Sequence, residues 1–222
     1  MRGFLLHHSV DASAERAPDH EAFRFENRGL TYRELAERSD RLAAVLAGEG
    51  AGPQDRVGIY MLKGLELPVA IYGVLKAGAA YVPLDPTAPL ERLELMGEEC
   101  GIRHLVTSAS RSRRAARLAE RSAGIRCVVG AEGAAPERPV GWLSWEAVDA
   151  APRRRPDVRP TEMDLAYIMY TSGSTGVPKG LMHTHASGLA YARLSAREYD
   201  VGPDDRLGNH SPLHFDMSTF EY

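Results

Sequence analysis

The sequence predicts an α/β fold built from parallel-type βαβ layers. Three observations carry that expectation. Short apolar runs suited to buried strands recur at residues 56–61, 102–107 and 125–129. Between them lie longer segments whose apolar residues repeat at helical spacing. Glycine or proline punctuates most junctions, as expected when each strand is followed by a crossover helix.

Taken in order, the first helix signal is Thr31, with Glu34 three residues later in the spacing of a capping box. Leu35, Leu42, Val45 and Leu46 then share one face, and Gly48 or Gly50 ends the run. Residues 56–61 (RVGIYM) read as a buried strand. Residues 65–77 form an apolar helix stopped by Gly78, with Pro68 tolerated in its first turn. Residues 80–84 are extended and run into a turn at Asp85-Pro86. A second amphipathic helix covers 90–100, a strand 102–107, a polar helix 111–122 and a strand 125–129. Residues 131–161 are rich in Ala, Pro and Arg, and prolines 152, 156 and 160 keep regular structure out. They read as a surface connection with a short helix over 142–148. The arginine run 153–155 reads as a solvated linker in preference to an anion-binding patch. No internal repeat is visible.

Bulk properties exclude several classes. Of 222 residues, 27 are basic and 30 acidic, for a net charge of −3. That leaves no basic field for nucleic acid. Cys100 and Cys127 cannot build a disulfide framework and read as buried or half-buried thiols in a reducing cytosol. The N-terminal apolar run is too short for a signal peptide. No stretch approaches the ~20 apolar residues of a membrane span, so a cytoplasmic protein without a membrane partner is expected.

The chemistry concentrates after residue 164. A strand at 164–170 (DLAYIMY) runs directly into TSGSTGVPKG at 171–180. Three glycines let backbone N–H groups turn inward, and successive inward N–H groups make an anion-binding nest. Thr171, Ser172, Ser174 and Thr175 add hydroxyls, and Lys179 adds a flexible charge. It is one of three lysines, with Lys63 and Lys76, against 24 arginines. The set suits a polyphosphate. A Walker A loop is excluded, because Pro178 precedes Lys179 and Gly180 follows it; a G-x-G-x-x-G fingerprint is absent as well. A plain Gly/Ser linker is the competing reading, and the flanking apolar strands count against it. Residues 180–185 read as extended, with a helix from about 186. His183, His185, His210 and His214 sketch a zinc site that no cysteine or acid completes. His185 is expected to pack near the loop. By its position alone, Asp216 reads as a cap or first-turn acid of a helix over 217–222.

TSGSTGVPKG resembles the signature of the AMP-forming adenylating superfamily, which includes acyl-CoA synthetases, luciferases and the adenylation domains of nonribosomal peptide synthetases. LTYRELAERSDRLAAVL, LKAGAAYVPLDP and HFDMSTFEY resemble the first, second and fourth core motifs of those adenylation domains, in order and spacing. The resemblance runs from about Leu5 to Tyr222; only 108–160 lacks a motif. It implies that residues 1–222 are the N-terminal part of the large domain of an AMP-forming ligase, incomplete at the C-terminus and without the small C-terminal domain.

It also implies that ATP is held by Thr171, Ser172, Gly173, Ser174, Thr175, Gly176 and Lys179. Mg²⁺ would come with the ATP near Thr175 and take no ligand set from the protein. A substrate carboxylate becomes an acyl adenylate and pyrophosphate leaves. By the same resemblance Asp216 receives a substrate α-ammonium, Phe215 stands beside the active site, and Met217 and Phe220 line the side-chain pocket. An amino acid is therefore expected as substrate, with a carrier-protein thiol as a candidate acceptor, in the secondary metabolism of nonribosomal peptides. The alternatives are an acyl- or aryl-CoA ligase of the same superfamily and a non-catalytic truncated ATP-binding module. The family's late acidic residue and late lysine have no counterpart before Tyr222, so the 222-residue chain alone is not expected to turn over.

Overall fold

The computed structural model describes residues 4–171 and 179–222. Helix α1 (His8–Arg16) precedes an antiparallel hairpin, β1 (Glu21–Phe25) and β2 (Arg28–Thr31). Then come α2 (Tyr32–Gly48), β3 (Arg56–Tyr60), α3 (Glu66–Lys76), β4 (Ala80–Pro83), α4 (Leu90–Cys100), β5 (His104–Thr107), α5 (Ser112–Arg121) and β6 (Cys127–Val129). The chain continues through β7 (Gly141–Leu143), α6 (Trp145–Ala150), β8 (Leu165–Thr171), β9 (Lys179–Thr184), α7 (His185–Glu198) and α8 (Ser218–Glu221).

Among the described residues, seven strands form one sheet in the order β7-β6-β5-β3-β4-β8-β9. Every neighbouring pair is parallel except β8 and β9. The expected α/β fold of parallel βαβ units is the one observed. Because strand side chains alternate between faces, the sheet feeds two cores. Val57, Ile59, Tyr81, Val106 and Tyr167 join α2, α3 and α6 on one side. Tyr60, Val82, Leu105, Val128 and Ile168 join α4 and α5 on the other.

Local rules explain most element ends. The Thr31 hydroxyl accepts the Glu34 N–H while the Glu34 carboxylate accepts the Thr31 N–H, a complete capping box that stabilises α2 by ~1 kcal/mol. Gly78 (φ +80°) and Gly101 (φ +60°) occupy the left-handed region just beyond α3 and α4, a conformation costly for any residue with a Cβ. Leu35, Leu42 and Leu46 of α2 are fully buried, and burying each contributes about 1.5–3 kcal/mol.

Two expectations in the 131–161 stretch need correction. The helix begins at Trp145, and Gly141–Leu143 is instead a strand, because Val128 and Val129 offer an open parallel edge for Trp142 and Leu143. All three arginines of the run are exposed, but Arg153 and Arg155 are tied into an ion network instead of standing free in a linker. Arg155 donates to both carboxylate oxygens of Asp11 (2.9 and 2.7 Å) and to Asp40 (2.8 Å). Arg153 reaches Asp40 and Glu37 (3.2 and 3.1 Å). The arginines share these carboxylates with Lys76, whose side chain is wholly buried and whose ammonium contacts Asp40 (2.8 Å), Asp11 (3.1 Å) and the Ala36 carbonyl. A buried lysine requires such partners. Burial opposes ionisation of Asp11 and Asp40, but Arg155 and Lys76 prevail and hold both carboxyls below their ordinary range. The proline-rich stretch is thus a strap that ties α1, α2 and α3 together.

Candidate functional site

The candidate site lies at the C-terminal edge of the parallel strands. Strand β8 runs parallel to β4 and ends at Thr171. Its hairpin partner β9 begins at Lys179, directly opposite Thr171, and the Thr171 hydroxyl faces the Lys179 carbonyl at 3.5 Å. Both residues are exposed. The hairpin therefore brings the hydroxyl and the lysine of the Gly-rich motif to one place, although they are eight residues apart. Ser172, Gly173, Ser174, Thr175 and Gly176, together with the Mg²⁺ position expected near Thr175, lie outside the described residues.

The chain leaves β4 toward β5 on one side and leaves β8 toward β9 on the other. The ends of β4 and β8 thus flank a point where the connections diverge, the usual location of ligand crevices in open α/β sheets. An exposed hydroxyl and an exposed ammonium at that point fit a polyphosphate.

The segment carrying Asp216 is fastened to the same edge. Lys63, in the loop after β3, donates to the Asn209 carbonyl at 2.8 Å. His214 stands 3.8 Å from Asp85, just past β4. Burial pushes the His214 pKa down, against the pull of Asp85. The Glu221 carboxylate accepts the N–H groups of His210 and Ser211, and the buried Ser218 hydroxyl donates to the Leu213 carbonyl at 2.9 Å. Helix α8 is thereby closed onto the 209–214 loop.

Asp216 does not cap α8 in the expected way. The residue before the helix is Met217, without a side-chain cap, and the Asp216 Oδ1 accepts the N–H of the adjacent Met217 at 2.8 Å. The carboxylate is otherwise presented outward from an exposed residue. Phe215 is 54% exposed and tilts against His214, with ring centroids 4.8 Å apart. Met217 and Phe220 line a cleft of about 630 Å³, and Phe220 meets Tyr199 edge-on at 5.4 Å.

His185 falls away from the loop, contrary to expectation. It starts α7 at the end of β9 opposite to Lys179, roughly 17 Å along the strand at ~3.3 Å per residue. Its role there is structural: buried, it accepts the Leu6 N–H on Nδ1 at 3.2 Å, and burial pushes its pKa down to about 4. His183 is not its partner on a strand face; it stacks on Tyr167 at 4.6 Å, and Tyr167 stacks on Tyr81 at 5.3 Å. Among the described residues no group of three His, Cys, Asp or Glu side chains could hold a metal. Cys100 and Cys127 are both free and buried. No described helix is long and apolar enough to cross a membrane.

The family described as AMP-binding enzyme matches residues 10–222, and the chain belongs to it. Among curated relatives, gramicidin S synthase 2 of Brevibacillus brevis is 35% identical over 95% of this chain and 4% of its own length. The L-proline--[L-prolyl-carrier protein] ligase of Pseudomonas fluorescens is 34% identical over 98% of this chain and 42% of its own length. Two solved structures share the fold at comparable identity. The nonribosomal peptide synthetase FmoA3 with bound alpha-methyl-L-serine-AMP has a TM-score of 0.81 at 30% identity, over 98% of this chain and 22% of that one. Apo MbtA of Mycobacterium smegmatis has a TM-score of 0.80 at 32% identity, over 90% of this chain and 37% of that one. The chain therefore spans less than half the length of each of these relatives.

Proposed function

We propose that this chain contributes the ATP loop and the substrate-ammonium site of an amino-acid adenylation reaction, as the N-terminal part of a larger adenylation domain. The observation that carries the reading is the shared edge. Thr171 and Lys179 open the Gly-rich loop at the end of β8, and the loops after β3 and β4 hold the Asp216 segment beside it.

An amino acid would dock its ammonium on the Asp216 carboxylate by a charge-assisted hydrogen bond. Its own carboxylate oxygen then attacks the α-phosphorus of ATP. The bond from that phosphorus to the bridging oxygen breaks, and pyrophosphate leaves with the electron pair. Thr171, Ser172, Ser174, Thr175 and Lys179 would hold the departing phosphates. Such a reaction gains mainly from positioning and from fixed positive charge and N–H dipoles near the phosphates. Mg²⁺ would come with the nucleotide near Thr175, where it would neutralise part of the phosphate charge. Names of the relatives support an amino acid as substrate and a carrier-protein thiol as acceptor. ATP as substrate and two free buried cysteines suit a reducing, cytoplasmic setting.

The test is amino-acid-dependent ATP–pyrophosphate exchange, run on this chain and on the polypeptide extended by its native downstream sequence. Asp216→Asn should lower kcat/KM for amino acids by about tenfold or more, the cost of a lost charged contact, and leave des-amino acids unaffected. Exchange only with acids that lack an amino group would assign the site to an acyl- or aryl-CoA ligase instead.

A further inference from the structure

Met217 and Phe220 share their cleft with residues that no motif singles out. Tyr191 comes from α7, Tyr199 from the turn that ends it, and Leu207 from the following loop. These five side chains make an aromatic and aliphatic wall around about 630 Å³, within the roughly 300–1,000 Å³ of small-molecule sites. Tyr191, Tyr199, Leu207 and Met217 are 41%, 69%, 47% and 62% exposed, an unusual concentration of large apolar groups at a protein surface.

The charged groups of the same lining are largely committed elsewhere. The Asp205 carboxylate accepts the Gly202 N–H at 2.7 Å, and Arg206 pairs with Glu21 at 3.3 Å. Asp200 closes α7 in a left-handed conformation (φ +51°). Asp216 immediately precedes Met217, so an ammonium held there places the adjoining side chain next to this wall.

We propose that the cleft selects an amino acid with a large apolar, preferably aromatic, side chain, and that Tyr191 and Tyr199 of the α7 end are specificity-determining residues. The inference rests on the adenylation reading above. An aromatic side chain would add an edge-on or offset contact to the existing Tyr199–Phe220 pair, the geometry that aromatic rings favour. A small side chain would leave the wall wet. A cationic one would find Asp200 and Asp205 at the cleft, but its stem and head would lie against a wall made mostly of Tyr191, Tyr199, Leu207, Met217 and Phe220.

Equilibrium binding of non-hydrolysable aminoacyl sulfamoyl-adenosines to the 222-residue chain tests this without requiring turnover. The probes carry phenylalanyl, leucyl, alanyl, lysyl and des-amino 3-phenylpropionyl groups. The phenylalanyl probe should bind about 30-fold or more above the alanyl one, within the range that differing apolar groups discriminate. Tyr199→Ala and Tyr191→Ala, both at exposed positions, should each remove about tenfold of the phenylalanyl affinity and leave the alanyl affinity unchanged. Leu207→Trp, which fills the cleft, should exclude the phenylalanyl probe and spare the alanyl one.

Preference for the alanyl or lysyl probe would overturn the proposal while leaving the adenylation reading intact. So would equal losses for all probes in the tyrosine variants, or self-association that buries Tyr199. Equal binding of phenylalanyl and des-amino probes would sink the Asp216 reading alone. Failure of every probe to bind, both to this chain and to the polypeptide extended by its downstream sequence, would overturn both.

Discussion

The two halves of the sheet are built differently. Strands β3 to β6 are buried on both faces and carry the two cores. The β8–β9 hairpin and the segment through α8 leave large apolar side chains at the surface, including Leu181, Met182, Leu207, Phe215 and Met217. The first half is fixed by packing and a buried charge cluster. In the second, β8 still packs Ala166, Tyr167, Ile168 and Met169 into the cores, but the segment through α8 is held by a few backbone-directed contacts, such as Lys63 to Asn209 and Glu221 to His210. If the proposed site is correct, changes in each half should report on different properties: stability in the first, ligand recognition in the second.

The largest effect on stability belongs to the packed half. Asp40→Ala would strip Lys76 and Arg155 of a shared partner inside the protein, and removing one member of a buried ion network costs ~3–5 kcal/mol. A urea midpoint unchanged by this variant would show that the cluster is solvated and erase the contrast. Acid should act next, in two windows. His7 and His185 are pushed by burial to about 3 and about 4 from an ordinary 6.5. Between pH 6.5 and 4 the unfolded chain therefore binds protons that the folded chain refuses. Stability is full above 6.5 and falls with pH, by ~3 kcal/mol for His185 at about 1.4 kcal/mol per unit. Asp11 and Asp40, held below their ordinary pKa of 3.8, add stability that is present above that value and lost as pH falls through their lower folded values. Urea titrations from pH 7 to 2 would follow both steps, and His185→Gln should reduce the first to the part contributed by His7.

The smallest stability effects belong to the hairpin. Met182→Ser, at a residue 75% exposed, and Lys179→Ala should each shift stability by less than about 0.5 kcal/mol. Lys179→Ala should nonetheless slow pyrophosphate exchange in the extended protein by on the order of 10²-fold, if its charge serves the phosphates as a fixed donor does. A large stability loss from either change would make β9 part of the core.

How much of this was legible in the sequence depended on local punctuation. Helix α4 is bounded by Pro89 and Gly101, and its predicted and observed limits coincide. The capping box of α2 was equally plain. Helix α1 was not, because only Val10 of its nine residues is buried and no apolar stripe marks it. The β1–β2 hairpin was hidden for a related reason: its turn holds Glu26 at φ +53°, where the usual signal is Asn or Gly. Residues 153–155 looked like a linker since their partners, Asp11 and Asp40, lie more than 110 positions away. At the site, the Gly-rich motif and Asp216 stood out as residue types. Tyr191, Tyr199 and Leu207 carried no signal, because their meaning comes only from the cleft they share with Met217 and Phe220.

The strap has a consequence for the order in which the molecule is assembled. Arg155 meets Asp11 across 144 residues, and Lys76 meets Asp40 across 36. Contacts so distant along the chain require long loops to close before they return any free energy. Until α1 and α2 have both arrived, the ammonium of Lys76 lacks one of its carboxylates, and until the strap has arrived those carboxylates lack Arg155 and Arg153. The charge cluster therefore works as a late check on assembly: it rewards only the arrangement in which three distant segments are simultaneously correct, and it penalises every partial one.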